Sequence, residues 1–314
     1  MIYSYGGSIQ GSSHVKRGIA CQDASKVIKL DSGIAIAAIA DGVGSCAHSD
    51  AASALAVETA VRACADGING NPRCDHGELI KAAFAQAELD IDKLSLSRGH
   101  LITEYDTTLS LVIYDGMRAT YGHSGDGGII GLTNAGDYVA ITAPQKKEGQ
   151  YVIPLRAGEG SWAIGEAACR LASVLLATDG VYDTFFPYLL RGQPVEVHVP
   201  LLRYFMDNAV LNASSGTIKD IQMTREEFLC GDACASITDD KTLIVLINGA
   251  ITPQAKEDSY YAEPDWETLQ LEWNKKAYPH LYMGEDDKPF RGTAVAEKSG
   301  KKRLWPLGKG QVDA

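Results

Sequence analysis

Three stretches of this chain, residues 34–40, 172–177 and 242–247, are short and almost uninterruptedly apolar, the pattern of strands buried on both faces. Each abuts an acidic segment. The first leads into Asp41-Gly42, the second into Thr178-Asp179-Gly180, and the third leads out of Asp239-Asp240, while a fourth acidic segment, Gln22-Asp23, lies upstream. Carboxylates fixed at the ends of buried strands stand close together, and like charges so placed repel unless a hard cation neutralises them. The pattern is a metal site in linear form.

Between these runs the period changes. Ser49 is placed to cap a helix whose Ala54, Val57, Val61 and Cys64 fall at helical spacing, with Glu58 and Arg62 an i,i+4 pair. After the turn cluster Asn69-Gly-Asn-Pro72, the stripe Ile80, Phe84, Ala87, Ile91 and Leu94 predicts a second helix. Short segments at 109–114, 118–121, 128–132 and 138–141, parted by Asp-Gly and Asn-Ala-Gly turns, predict an antiparallel meander. A loop with a short strand near 151–155 follows. Residues 181–236 read as mostly helical, with helices at 200–212 and, behind the capping sequence Thr224-Arg-Glu-Glu227, at 224–229. Helix pairs grouped apart from antiparallel strands make the fold class α+β. Beyond residue 251 the chain turns proline-rich and charged, and ends in the basic patch Lys298-Ser-Gly-Lys-Lys-Arg303. The division expected is a domain at 1–250 and an extension at 251–314. The extension reads as partly helical or disordered, with one helix at 267–276 whose apolar stripe Trp266, Leu269 and Trp273 suits docking on its own domain, or else on a partner.

With 314 residues, 45% of them hydrophobic, the chain can bury a sizeable core without staples. Its net charge of −11 argues against a nucleic-acid backbone as partner. Nothing resembles a secretion signal or an apolar run long enough to span a bilayer, so the reading is cytoplasmic, with no membrane association. The seven cysteines read as reduced thiols, and Cys230 and Cys234 have no second pair or nearby histidines to complete a zinc site. No two histidines have the helical spacing of a zinc site, and His48 and His100 read as ordinary satisfied or exposed side chains. Neither a Gly-x-Ser-x-Gly elbow nor a phosphate-cradling or dinucleotide-binding glycine motif is present.

Taken in order, Gln22-Asp23-Ala24, Asp41-Gly42-Val43-Gly44, Asp106-Thr107-Thr108-Leu109, Ser124-Gly125-Asp126-Gly127, Ala177-Thr178-Asp179-Gly180 and Asp239-Asp240-Lys241-Thr242 resemble the motif series of the metal-dependent protein phosphatases of the 2C type, bacterial branch. The resemblance covers residues 1–250. Each motif alone is an ordinary turn sequence, whereas six in order are specific. It implies a four-layer sandwich of two central antiparallel β-sheets flanked by helices, and two Mn²⁺ or Mg²⁺ ions per site with a weaker third. Asp41 would bridge two metals, the Gly42 carbonyl would bind one, Asp179 and Asp239 the other, and Asp126 the third. Asp23 would hold metal-bound water. The resemblance also implies an arginine upstream of Asp23 that binds phosphate. Arg17 is the only arginine there, one residue further away than the family spacing, with His14 and Lys16 as rivals. His14 and His123 are also placed near phosphate by their motifs. The departures are Asp106 for the family's glycine, Gly127-Gly128 for Ser-Arg, and Val43 where some members carry a histidine acid.

The activity implied is hydrolysis of phosphoserine and phosphothreonine in a phosphoprotein, the product of a Ser/Thr kinase, by metal-activated water. Two alternatives stand beside it: a catalytically weak regulatory binding protein and a phosphoesterase acting on small molecules.

Overall fold

The run at 34–40 becomes strand β3 (Ala35–Asp41), and its environment explains its uniform apolarity. Ala35, Ala37 and Ile39 face an opposing sheet, whereas Ile36, Ala38 and Ala40 pack beneath helices, so neither face meets water. The runs before Asp179 and after Asp240 behave alike: Val174, Leu176, Ile244 and Leu246 point between the sheets, and Leu175, Ala177, Leu243 and Val245 point outward into a second helical layer.

The computed structural model describes residues 1–146, 151–207, 218–231 and 234–282. One five-stranded sheet has the order β2 (Asp23–Lys29), β3, β4 (Leu109–Tyr114), β5 (Ala119–Ser124) and β8 (Ala163–Glu166). The other has the order β1 (Ile2–Ile9), β10 (Lys241–Asn248), β9 (Leu171–Ala177), β6 (Gly128–Thr133) and β7 (Tyr138–Ala140). All neighbours are antiparallel. Helices α2 (Ser49–Gly70) and α3 (His76–Arg98) cover the first sheet. Helices α4 (Asp179–Phe185), α5 (Val199–Met206) and α6 (Ile218–Cys230) cover the second, and the short α1 (Ser12–Arg17) joins β1 to β2. The result is an α+β four-layer sandwich.

The structure departs from the sequence reading in several places. The expected meander is split: β4 and β5 stay in one sheet, and the chain crosses at 125–127 so that β6 and β7 join the other. Alternation of side chains is the same for a hairpin and a crossover, so periodicity could not tell them apart. Ser49 is not a cap but the first residue of α2; its hydroxyl accepts from Gln22 Nε2 at 2.8 Å and donates to the Cys46 carbonyl. Glu58 pairs with Lys26 of β2 rather than with Arg62. The cap of α3 is Asp75, whose Oδ1 accepts from the Gly77 and Glu78 amides. Thr224 lies inside α6, its hydroxyl bonded back to the Asp220 carbonyl. In place of a strand at 151–155 there is a single bridge between Lys146 and Val152. Strands β1, β2 and β8 were not anticipated. The C-terminal part of the helix expected at 200–212 and the basic patch at 298–303 lie outside the described residues.

After β10 the chain runs back over the second sheet. Gln254 N donates to the Asn134 carbonyl, Lys256 pairs with Asp137 at 2.7 Å, and the Tyr138 amide donates to Tyr260 Oη. The Arg203 guanidinium lies 4.1 Å from the Tyr261 ring centre. Helix α7 (Trp266–Ala277) sets Trp266 edge-on to the buried His198 ring at 5.1 Å, and Trp273 against Tyr188 at 5.3 Å. Ile251, Tyr260 and Tyr261 pack on the outer core. Ending the chain after Asn248 is therefore expected to lower the melting temperature by roughly 5 °C or more, since exposing a few such side chains costs several kcal/mol. A thermal melt in the same buffer checks this; an unchanged midpoint would mean these contacts contribute nothing to stability.

Candidate metal centre

The acidic strand ends converge because the two sheets stack with those ends on one side. In the β2–β3 ladder Asp23 lies directly opposite Asp41. Asp179 opens α4 immediately after β9, Asp126 sits in the crossover between β5 and β6, and Asp239-Asp240 precede β10. One carboxylate oxygen from each of Asp41, Asp126 and Asp179 lies within 4.8 Å of the others. These three, together with His14, Tyr151 and Asp239, line part of a cleft of about 240 Å³.

Two glycines let the backbones close in. A Cβ on Gly42 would stand 2.7 Å from the Ser49 carbonyl oxygen, and one on Gly180 would stand 2.3 Å from that of Asp240. The Asp-Gly pairs are thus close-approach points as well as turns. Asp41 is held by the threonine pair: its amide donates to Thr108 Oγ1 at 2.8 Å, and Thr107 Oγ1 donates to its carbonyl at 2.9 Å. Asp106, in place of glycine, accepts two hydrogen bonds from Arg156, at 2.6 and 2.8 Å, and so anchors that turn. Thr178 Oγ1 donates to Asp23 Oδ2 at 2.9 Å and itself receives the Thr242 amide, which fixes Asp23 behind the cluster.

Burial dominates the electrostatics of this centre. It pushes Asp23 up to about 7 against the bond from Thr178, with the Asp240 and Asp179 carboxylates adding to the rise. Burial likewise raises Asp41 well above the ordinary carboxylate range, reinforced by Asp23 and Asp179, and takes Asp179 to about 6, reinforced by Asp126. Oxygen donors that repel one another this strongly fit a hard divalent cation such as Mg²⁺ or Mn²⁺. A consequence for stability follows from linkage. A carboxyl whose folded pKa is raised stabilises the fold fully below its unfolded value near 4 and loses that contribution as pH rises through the folded value. In chelator, the melting temperature should therefore fall between about pH 4 and pH 7, and saturating Mn²⁺ should flatten the fall. A metal-free melting temperature that rises over the same interval would contradict this electrostatic picture.

The remaining predicted residues separate. Asp239 lies at the rim, with its side chain 64% exposed and outside the close trio. His14 is buried on the inner face of α1. Its Nδ1 donates to Asp240 Oδ2 at 2.9 Å, and its Nε2 lies 3.9 Å from Asp239 Oδ1. Arg17, at the end of the same helix, is exposed, bonds through Nε to the Ser13 carbonyl at 3.2 Å, and does not line the cleft. Lys16 is exposed as well. His123 is fully buried on β5 beside Ser110, and burial lowers its pKa to about 4, so it is neutral and away from the cleft lining.

Three residues were missed as individuals. Asp240 accepts from the Gly11 and Gln22 amides, both at 2.6 Å, as well as from His14, tying the start of α1 and the approach to β2 to the start of β10. Its signal was the Asp239-Asp240 doublet, where the family pattern has asparagine second. Lys146, 3.4 Å from Asp126 Oδ2, and the 75% exposed Tyr151 at the cleft come from a charged loop without periodicity.

The family model described as Protein phosphatase 2C matches residues 10–214. The chain belongs to the protein phosphatase 2C family. Among solved structures it resembles the serine/threonine phosphatase Stp1 from Staphylococcus aureus, at 12% identity over 79% of this chain and 95% of that one, with a TM-score of 0.55. It also resembles a bacterial serine phosphatase, at 11% identity over 79% and 98% of the two chains and a TM-score of 0.53. A third is the catalytic domain of the serine threonine protein phosphatase PstP in complex with two manganese ions, at 18% identity over 78% and 97% and a TM-score of 0.53. No curated protein sequence matches the chain. Within the protein phosphatase 2C family, Val43 stands where some members carry histidine; here its amide donates to the Asp106 carbonyl at 3.0 Å and the residue lines the cleft. No described helix is long and apolar enough to cross a membrane.

Proposed function

We propose that the chain is a protein serine/threonine phosphatase whose substrates are phosphoproteins produced by a Ser/Thr kinase. The observation that carries this reading is the carboxylate trio Asp41, Asp126 and Asp179, held within 4.8 Å at the open ends of the stacked sheets in a member of this family. Two Mn²⁺ or Mg²⁺ ions would be held by Asp41, the Gly42 carbonyl, Asp179 and Asp239, with a weaker third at Asp126. When bound, such ions supply a water acidified enough to attack at neutral pH and neutralise the phosphate oxygens.

The chain's own residues do the rest. Thr107 and Thr108 hold the backbone of Asp41 through its carbonyl and amide, which fixes where its side chain leaves the strand end. Asp23, oriented by Thr178, offers an acceptor behind the cluster for water protons. His14, held by Asp240, presents Nε2 toward the rim, where a leaving alkoxide or a phosphate oxygen can be met. The cleft opens to solvent beside the exposed Tyr151, which suits a side chain presented by a macromolecule. In this reading residues 1–250 form the catalytic domain and 251–314 its extension, and the site of action is the cytoplasm.

The test is turnover of phosphoserine and phosphothreonine peptides by the purified chain, with Mn²⁺ and in chelator, beside a small aryl phosphate. Metal-dependent turnover favouring the peptides is expected. Turnover of the small ester alone would make the chain a small-molecule phosphoesterase, and no turnover of either would leave a regulatory binding role.

A further inference from the structure

A second cluster of metal-ligating side chains stands apart from the acidic centre. His48 precedes α2, His100 follows α3, and Glu104 ends a short turn before β4; one ligand atom from each lies within 4.8 Å of the others, and all three are half-buried. Their sequence separation hid them, because no spacing rule links residues 48 and 100. The imidazoles stack face to face, with ring centres 4.1 Å apart and planes 7° from parallel. His100 Nδ1 lies 2.8 Å from the hydroxyl of Tyr105, a residue only 1% exposed. When Nδ1–H donates to that hydroxyl, the Nε2 lone pair is left for a metal, which is how metal-bound histidines are usually oriented by an outer partner.

We propose that His48, His100 and Glu104 form a second metal site, selective for a borderline cation of the Zn²⁺ type over Mg²⁺. Two imidazoles and one carboxylate are a zinc-type donor set, while Mg²⁺ prefers oxygen and water. Parallel rings do not aim their nitrogens at one point, so capture requires a turn of the His48 ring, whose torsion about the ring bond is soft. The site bridges two segments that the backbone already ties together: the His48 amide donates to the Glu104 carbonyl at 2.9 Å, and the Val43 amide to that of Asp106 at 3.0 Å. The 42–48 segment carries Gly42 at its other end. A cation here therefore braces the loop that borders the acidic cleft, independently of whether the chain is a phosphatase.

The experiment is calorimetric titration of Zn²⁺ into the full chain held in excess Mg²⁺, with melting curves before and after. A saturable site binding one Zn²⁺ and raising the melting temperature is expected, with affinity at least tenfold weaker in His48→Gln and in His100→Gln and unchanged in Asp41→Asn. Glu104→Gln, which keeps shape and removes charge, should also weaken it and serves if a histidine variant unfolds. Absence of Zn²⁺ binding, or affinity unchanged in these variants but lost on blocking the thiols, would overturn the proposal.

Discussion

Asp41→Asn is expected to lower kcat/KM on a phosphothreonine peptide at least about a thousandfold, roughly 4 kcal/mol of transition-state stabilisation. Asp41 is the member of the trio with a charged neighbour on each side. Asp179 and Asp126 stand within 4.8 Å of it in the cleft, and Asp23 faces it across the β2–β3 ladder. Asparagine keeps the shape and can still donate to Asp179, but it removes the charge that would hold a divalent ion. The same change should not unfold the protein. Burial raises Asp41 well above the ordinary carboxylate range, so at pH 8 in chelator its ionised form costs stability, and the variant should melt no lower than the parent. Activity and melting temperature thus move separately. Undiminished turnover in Asp41→Asn would refute the metal mechanism, whereas a collapsed melting temperature would show that Asp41 is structural.

Why the fold was legible is visible in β3, β9 and β10. Their apolar runs are unbroken because each strand is packed on both faces, and this also fixes the acidic residues that follow or precede them at one end of the stack. β1 and β2 escaped notice for the complementary reason. Their inventories, Ile-Tyr-Ser-Tyr-Gly-Gly-Ser-Ile and Asp-Ala-Ser-Lys-Val-Ile-Lys, are mostly half-buried, and their strand character comes from pairing with β10 and β3 rather than from their own pattern. Tertiary pairing of this kind leaves no periodic trace. The carboxylates at 41, 126 and 179 could be named from their motifs, but which basic group reaches the cleft could not. That depends on the face of a single short helix: α1 buries His14 and exposes Arg17, three residues on. His48 and His100 meet only because α2 and α3 pack side by side, and no linear spacing encodes that meeting.

That helix face also bears on the proposed phosphate contact. Sequence alone favours Arg17, the only arginine upstream of Asp23, but the guanidinium is occupied by its own helix and His14 holds the position in the cleft. His14→Gln is therefore expected to lower kcat/KM by about tenfold to a hundredfold, the 1.4 to 3 kcal/mol associated with losing a charge-assisted contact or a proton-transfer group. Glutamine is the informative replacement. Alanine would leave the buried Asp240 carboxylate short of a donor and cost stability for that reason alone, whereas the glutamine amide can still donate to it. Arg17→Ala should stay within about twofold of the parent, because an exposed side chain bonded to its own helix has little to lose. Mn²⁺ affinity should change little in either variant, since neither residue belongs to the carboxylate trio, and the loss in His14→Gln should appear in turnover rather than in the metal requirement. If Arg17→Ala is impaired while His14→Gln turns over normally, α1 must rotate or unwind when substrate binds, and the phosphate contact passes back to the arginine.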